Sequence, residues 1–126
     1  MNEAIFQNTF DKLQDFLPKS WKTVVFYAGY TEGSYSMKFY TDCGDGKYID
    51  CFNQEGINKA QLIKLFMSID KEFSAERKKL TDENKWTVFT MVIDEQGYMR
   101  TYFDYTNIDG NTISYEREWK KKYLKY

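Results

Sequence analysis

Trp86-Thr87-Val88-Phe89-Thr90-Met91-Val92-Ile93, then Asp94-Glu95-Gln96-Gly97, then Tyr98-Met99-Arg100-Thr101-Tyr102-Phe103-Asp104-Tyr105, is the stretch that decides the fold. Two runs rich in aromatic and β-branched residues flank a polar segment ending in Gly, which accepts the positive φ of a tight connection. The stretch reads as a β-hairpin. Successive strand side chains point to opposite faces, so parity divides each run. Phe89, Met91 and Ile93 join Met99, Thr101, Phe103 and Tyr105 on the face expected to meet the core. Trp86, Val88, Thr90 and Val92 share the other face with Tyr98, Arg100, Tyr102 and Asp104.

That second face is where a partner is expected, because Trp, Tyr and Arg dominate binding energy at interfaces. Its alternative is burial under a helix, in which case Arg100 and Asp104 would each need a partner to offset desolvation. Further along, Asn107 to Thr112 reads as a turn around Asp109-Gly110, and Tyr115-Glu116-Arg117-Glu118-Trp119 with Lys122-Tyr123-Leu124 as a closing helix. Tyr115, Trp119 and Tyr123 fall at i, i+4 and i+8, a stripe that either packs the helix on the sheet or offers anchors to a partner. Lys120 to Lys122 would then face solvent, with Glu116–Lys120 and Glu118–Lys122 as i, i+4 ion pairs. The candidate partner-binding residues are Trp86, Tyr98, Arg100, Tyr102 and Asp104, with Trp119 from the closing helix.

Upstream, Phe6, Phe10, Leu13 and Leu17 recur at helical spacing over Glu3 to Leu17, and Pro18 ends that helix. Trp21 to Tyr30, Tyr35 to Thr41 and Lys47 to Phe52 read as three strands of a meander, separated by Glu32-Gly33 and Cys43-Gly44-Asp45-Gly46. The Asp42-Cys43-Gly44-Asp45-Gly46 run lacks the oxygen alternation and distal Glu of a calcium loop and reads as a turn. A long helix is expected from Asn58, with Gln61 three residues on, to about Leu80. Its apolar stripe is Leu62, Phe66, Ile69, Phe73 and Leu80, widened by Ile63 and Leu65. The expected class is α+β: one domain over residues 1–126, in the order α-βββ-α-ββ-α, with a mainly antiparallel sheet packed against helices.

The order Trp86-Thr87, strand, turn, a strand ending Phe103-Asp104-Tyr105, then Tyr115-Glu116-Arg117 with Trp119 and a final Tyr123-Leu124 resembles the YezG-like family of bacterial antitoxin or immunity proteins. Trp21-Lys22-Thr23-Val24, Lys38-Phe39-Tyr40 and the helix carrying Leu62, Phe66, Ile69 and Phe73 extend the resemblance over nearly the whole chain. It implies a small cytoplasmic protein that binds and neutralises a cognate toxin, typically the nuclease domain of a large secreted effector. No chemistry of its own is implied. The expected mechanism is occlusion of the toxin's active site or substrate groove.

Composition bears on the other classes. The chain has no histidine, which removes the commonest general base, the usual zinc ligand and every His-containing triad. Asp50, Glu55, Asp94, Asp104 and Asp109 could do acid-base work but sit in no recognisable motif. No catalytic residue, metal or cofactor is therefore expected. Cys43 and Cys51 are the only cysteines and are expected as free thiols. No window approaches a membrane span, and Met1-Asn2-Glu3-Ala4 lacks a secretion signal, so a cytoplasmic protein is expected.

Aromatic residues make up 19%, an excess that a thin core filled by few residues would absorb. The formal charge is −1, which is not the strongly acidic balance of a phosphate mimic, yet from Glu116 onward five cations face two carboxylates. This basic, aromatic helix is the basis of the alternative reading, a small nucleic-acid-binding module, against which the acidic remainder of the chain argues. Oligomeric state is left open; a self-associating structural protein would form a dimer and need no second partner.

Overall fold

A computed structural model describes residues 3–125, so Met1, Asn2 and Tyr126 lie outside it, and with them the reading of Met1-Asn2 as no secretion signal. The elements follow in the expected order: α1 (Glu3–Gln14), β1 (Thr23–Thr31), β2 (Ser34–Asp42), β3 (Tyr48–Asp50), α2 (Lys59–Lys78), β4 (Val88–Asp94), β5 (Met99–Asp104) and α3 (Thr112–Tyr123). The five strands form one sheet in the order β3-β2-β1-β4-β5, every neighbouring pair antiparallel. The class is α+β.

Local chemistry sets the boundaries. Asn58 caps α2, its side-chain oxygen accepting the Gln61 N–H at 3.1 Å. Gly33 at φ 84° turns β1 into β2. Asp42 accepts the N–H groups of Gly44 and Gly46, so the acidic run after β2 is a turn, as read. The first helix stops at Gln14 rather than Leu17, because Pro18 disfavours helical backbone in the residue before it. Leu13 and Gln14 carbonyls close that end by accepting from Phe16 and Leu17. β3 is shorter than expected since Asp50 accepts the Phe52 N–H and starts a single helical turn over Cys51–Asn53.

β1 is buried on both faces, with seven consecutive buried residues from Val24 to Tyr30. Val24, Phe26, Ala28 and Tyr30 point into a core closed by α1 and α2; Val25 and Tyr27 point into a second, smaller core closed by α3. The sheet is thus sandwiched between two helices on one face and one on the other. Most of the aromatic excess goes into the larger core. Phe73 meets Phe89 edge-on at 5.2 Å, Trp86 at 5.9 Å and Phe26 at 6.1 Å, and Phe6 stacks on Phe89 at 5.4 Å. Gly29 is required by close approach: a Cβ there would lie 2.5 Å from the Tyr27 hydroxyl oxygen. Ile63 does not widen the α2 stripe; it is exposed, because one residue beyond Leu62 is about 100° around the helix.

Candidate functional site

The final hairpin divides as expected from Val88 to Phe103 and departs from alternation at both ends. Phe89, Met91 and Ile93 are fully buried against α1 and α2, with Met99 and Phe103 packed beside them. Val88 and Thr90 are buried beneath α3 on the other face. Trp86, assigned by parity to that face, is instead in the larger core at 2% exposure. The chain bends at Thr87, whose N–H donates to the Asp104 carbonyl at 2.8 Å although Val88 is the registered partner of Asp104. Two residues opposite one is a bulge, and it breaks the alternation that would have turned Trp86 outward. Tyr105, expected in the core, is exposed because β5 ends one residue earlier.

Trp86 is enclosed rather than presented. The Arg77 guanidinium lies over Tyr30 at 4.5 Å and over Trp86 at 5.3 Å, and Arg77 Nε donates to the Trp86 carbonyl at 2.9 Å. Tyr30 completes the group by donating to Asp70 at 2.7 Å, as does Ser74. Burial holds the Arg77 guanidinium below its ordinary pKa, and the Tyr30 phenol is pushed well up by burial and by Asp70. Sequence reading missed this cluster, since nothing in the spacing of Tyr30, Arg77 and Trp86 links three separate elements.

Trp119 is also buried, at 4%. Its ring packs edge-on against Tyr27 at 4.8 Å and its Nε1 donates to Thr90 Oγ1 at 2.8 Å. The stripe on α3 is therefore core at its centre and opens outward at its end, where Tyr123 lies 5.3 Å from Trp119 and 5.5 Å from Tyr102. The basic run is partly engaged. Lys120 and Lys122 sit over the Tyr40 and Tyr123 rings at 5.9 and 5.3 Å, and Lys121 pairs with Glu118 at 3.1 Å. The expected Glu116–Lys120 and Glu118–Lys122 bridges are replaced by that i, i+3 pair.

What remains at the surface is a contiguous patch on β5 and beside α3. Tyr98 is 71% exposed and Tyr102 42%, with exposed Arg100 between them in sequence. The Arg100 side chain has no ion-pair or hydrogen-bond partner among the described residues. A groove of about 580 Å³ runs between β5 and α3, lined by Tyr102, Asp104, Tyr105, Tyr115, Glu118, Lys122 and Tyr123. Tyr105, Lys122 and Tyr123 are surface residues that parity had not put forward.

Asp104 closes one end of this groove. It accepts from the Tyr115 hydroxyl at 2.5 Å, and from the Thr106 N–H and hydroxyl at 3.0 and 2.8 Å. Partial burial raises its pKa, but these donors outweigh it and hold the carboxyl below the usual range. Burial and the adjacent carboxylate push the Tyr115 phenol far up. The pair keeps its proton on Tyr115 and acts as a clamp between β5 and α3 rather than a proton relay. Of the six candidates, then, Tyr102 and Asp104 line the groove, Tyr98 and Arg100 are exposed further along the hairpin, and Trp86 and Trp119 are buried in the two cores.

The family model described as immunity protein, YezG-like, matches residues 2–126. The chain belongs to the YezG-like immunity protein family, and an immunity role with a toxin as partner follows from that membership. No curated protein matches the chain. Among the described residues, no helix is long and apolar enough to cross a membrane.

Proposed function

We propose that this immunity protein neutralises the nuclease domain of a secreted effector in the cytoplasm, by stoichiometric occlusion of the toxin's active site or substrate groove. The contact surface in this reading is the outer side of β5 with the groove beside α3. Tyr98, Arg100 and Tyr102 are its anchors and Asp104 fixes its rim. Trp86 and Trp119 serve it from below, by holding the hairpin and α3 in place. The observation that carries the reading is the exposed run Tyr98, Arg100, Tyr102, in which two large aromatic rings and an unpaired guanidinium face solvent at the start of β5 and along it. Such groups gain most from desolvation by a partner.

The test is a triple variant, Tyr98→Ala, Arg100→Ala and Tyr102→Ala, titrated calorimetrically against the cognate toxin. Affinity is expected to fall by about a hundredfold or more, with the thermal unfolding midpoint little changed. Wild-type affinity in a folded triple variant would move the interface to another surface. Loss of toxin nuclease activity on adding the wild-type protein is the accompanying assay, and a toxin without nuclease activity would overturn that part of the reading.

A further inference from the structure

β5 is the outer strand beyond β4. One bond fixes which of its backbone groups look outward: the Asp94 N–H donates to the Tyr98 carbonyl at 3.1 Å, marking a hydrogen-bonded pair. Stepping by two, Val92 with Arg100 and Thr90 with Tyr102 are hydrogen-bonded pairs as well. Met99, Thr101 and Phe103 consequently turn their N–H and C=O groups away from β4, and no bond among the described residues reaches them. The opposite edge differs. β3 has three residues and covers only Tyr40 to Asp42 of β2, leaving β2 residues 34–39 without a strand beyond them but with Lys38 among them, whereas β5 has six residues with neither Lys nor Pro. Shortness, edge lysines and proline are among the devices by which sheets avoid pairing; β5 has none of these three, and its two charged residues, Arg100 and Asp104, are of opposite sign.

We propose that β5 pairs antiparallel with β5 of a second copy of this chain, about a two-fold axis through Thr101. In that register Thr101 faces Thr101 and Met99 faces Phe103 of the second copy as hydrogen-bonded pairs, each a favourable cross-strand combination. These side chains enter open space of about 480 Å³ on the α1 side, lined by Glu3, Phe6, Gln7, Met99 and Thr101. On the other face Arg100 stands opposite Tyr102 of the second copy in a close pair, with Asp104 of the second copy at one diagonal. The unpartnered guanidinium thereby gains a ring and a carboxylate, and symmetry makes the contact twice. At the other diagonal lies Arg100 of the second copy, from which each long side chain turns toward its carboxylate. A strand of the toxin is the competing occupant of this edge. The second copy is favoured because the complementarity is carried within residues 99 to 104 themselves.

The inference concerns the free protein and does not depend on the toxin's identity; because Arg100 and Tyr102 serve both contacts, toxin and second copy exclude one another at this edge. It is tested by sedimentation equilibrium on the full chain without toxin, from about 1 to about 200 μM, the range over which a modest interface declares itself. A concentration-dependent rise from 15.1 kDa to twice that mass is expected. Thr101→Pro removes an outward N–H while sparing every bond to β4, and Arg100→Glu sets like charge beside Asp104 of the second copy. Each is expected to weaken dimerisation by at least about tenfold, with far-ultraviolet dichroism unchanged. A chain that stays monomeric throughout, or a dimer that folded Arg100→Glu leaves at wild-type strength, would overturn the proposal.

Discussion

Trp86 has the position of an anchor in the sequence and of a keystone in the structure. It touches Tyr30, Phe73, Phe89 and Phe103 in the larger core, and its carbonyl accepts from Arg77. Its indole Nε1 is a buried donor without a hydrogen-bond partner among the described residues, so nearly all of its contribution comes from packing. Trp86→Ala is therefore expected to lower unfolding free energy by about 3–5 kcal/mol, read from the urea midpoint. Tyr102→Ala, at a half-open position, should cost about 1 kcal/mol or less by the same measurement. The contrast separates a residue that supports the surface from one that forms it. Composition could supply the three tryptophans but not their fates, because the bulge opposite Asp104 depends on a backbone bond from Thr87 that no side-chain pattern announces.

The elements themselves were legible where one physical rule acted alone. Asn58 and Gln61 announced the start of α2, Glu32-Gly33 the first hairpin, and alternation divided the residues from Val88 to Phe103. Legibility failed at element ends, where rules compete: Pro18 shortened α1, an Asp50 cap shortened β3, and the end of β5 left Tyr105 in solvent. The covering of the outer hairpin face was open in the sequence because both readings held in part. α3 buries Val88 and Thr90 yet leaves Tyr98, Arg100 and Tyr102 exposed, with only Tyr102 touching it through Tyr123. The cap on α2 gives a clean check at this scale. Asn58→Ala strands the Gln61 N–H and should cost about 1 kcal/mol, measured by thermal unfolding, whereas Asn58→Asp or Asn58→Ser should restore most of it.

For the molecule as a whole, two cores share β1, so neither layer of helices can leave without exposing residues of the central strand. Cys51 offers a way to time such opening. It is fully buried in the larger core and its thiol is pushed up to about 12, chiefly by burial, while Cys43 is exposed. At pH 8, a thiol reagent is expected to modify Cys43 promptly and Cys51 only at the rate of large-scale unfolding. Mass spectrometry of the labelled peptides should show Cys51 protection falling in step with denaturant, and prompt labelling of both would mean a looser core around β3. In the proposed pairing each β5 margin is spent on its own counterpart about a two-fold axis, so that contact closes on itself at two subunits instead of repeating along a fibre.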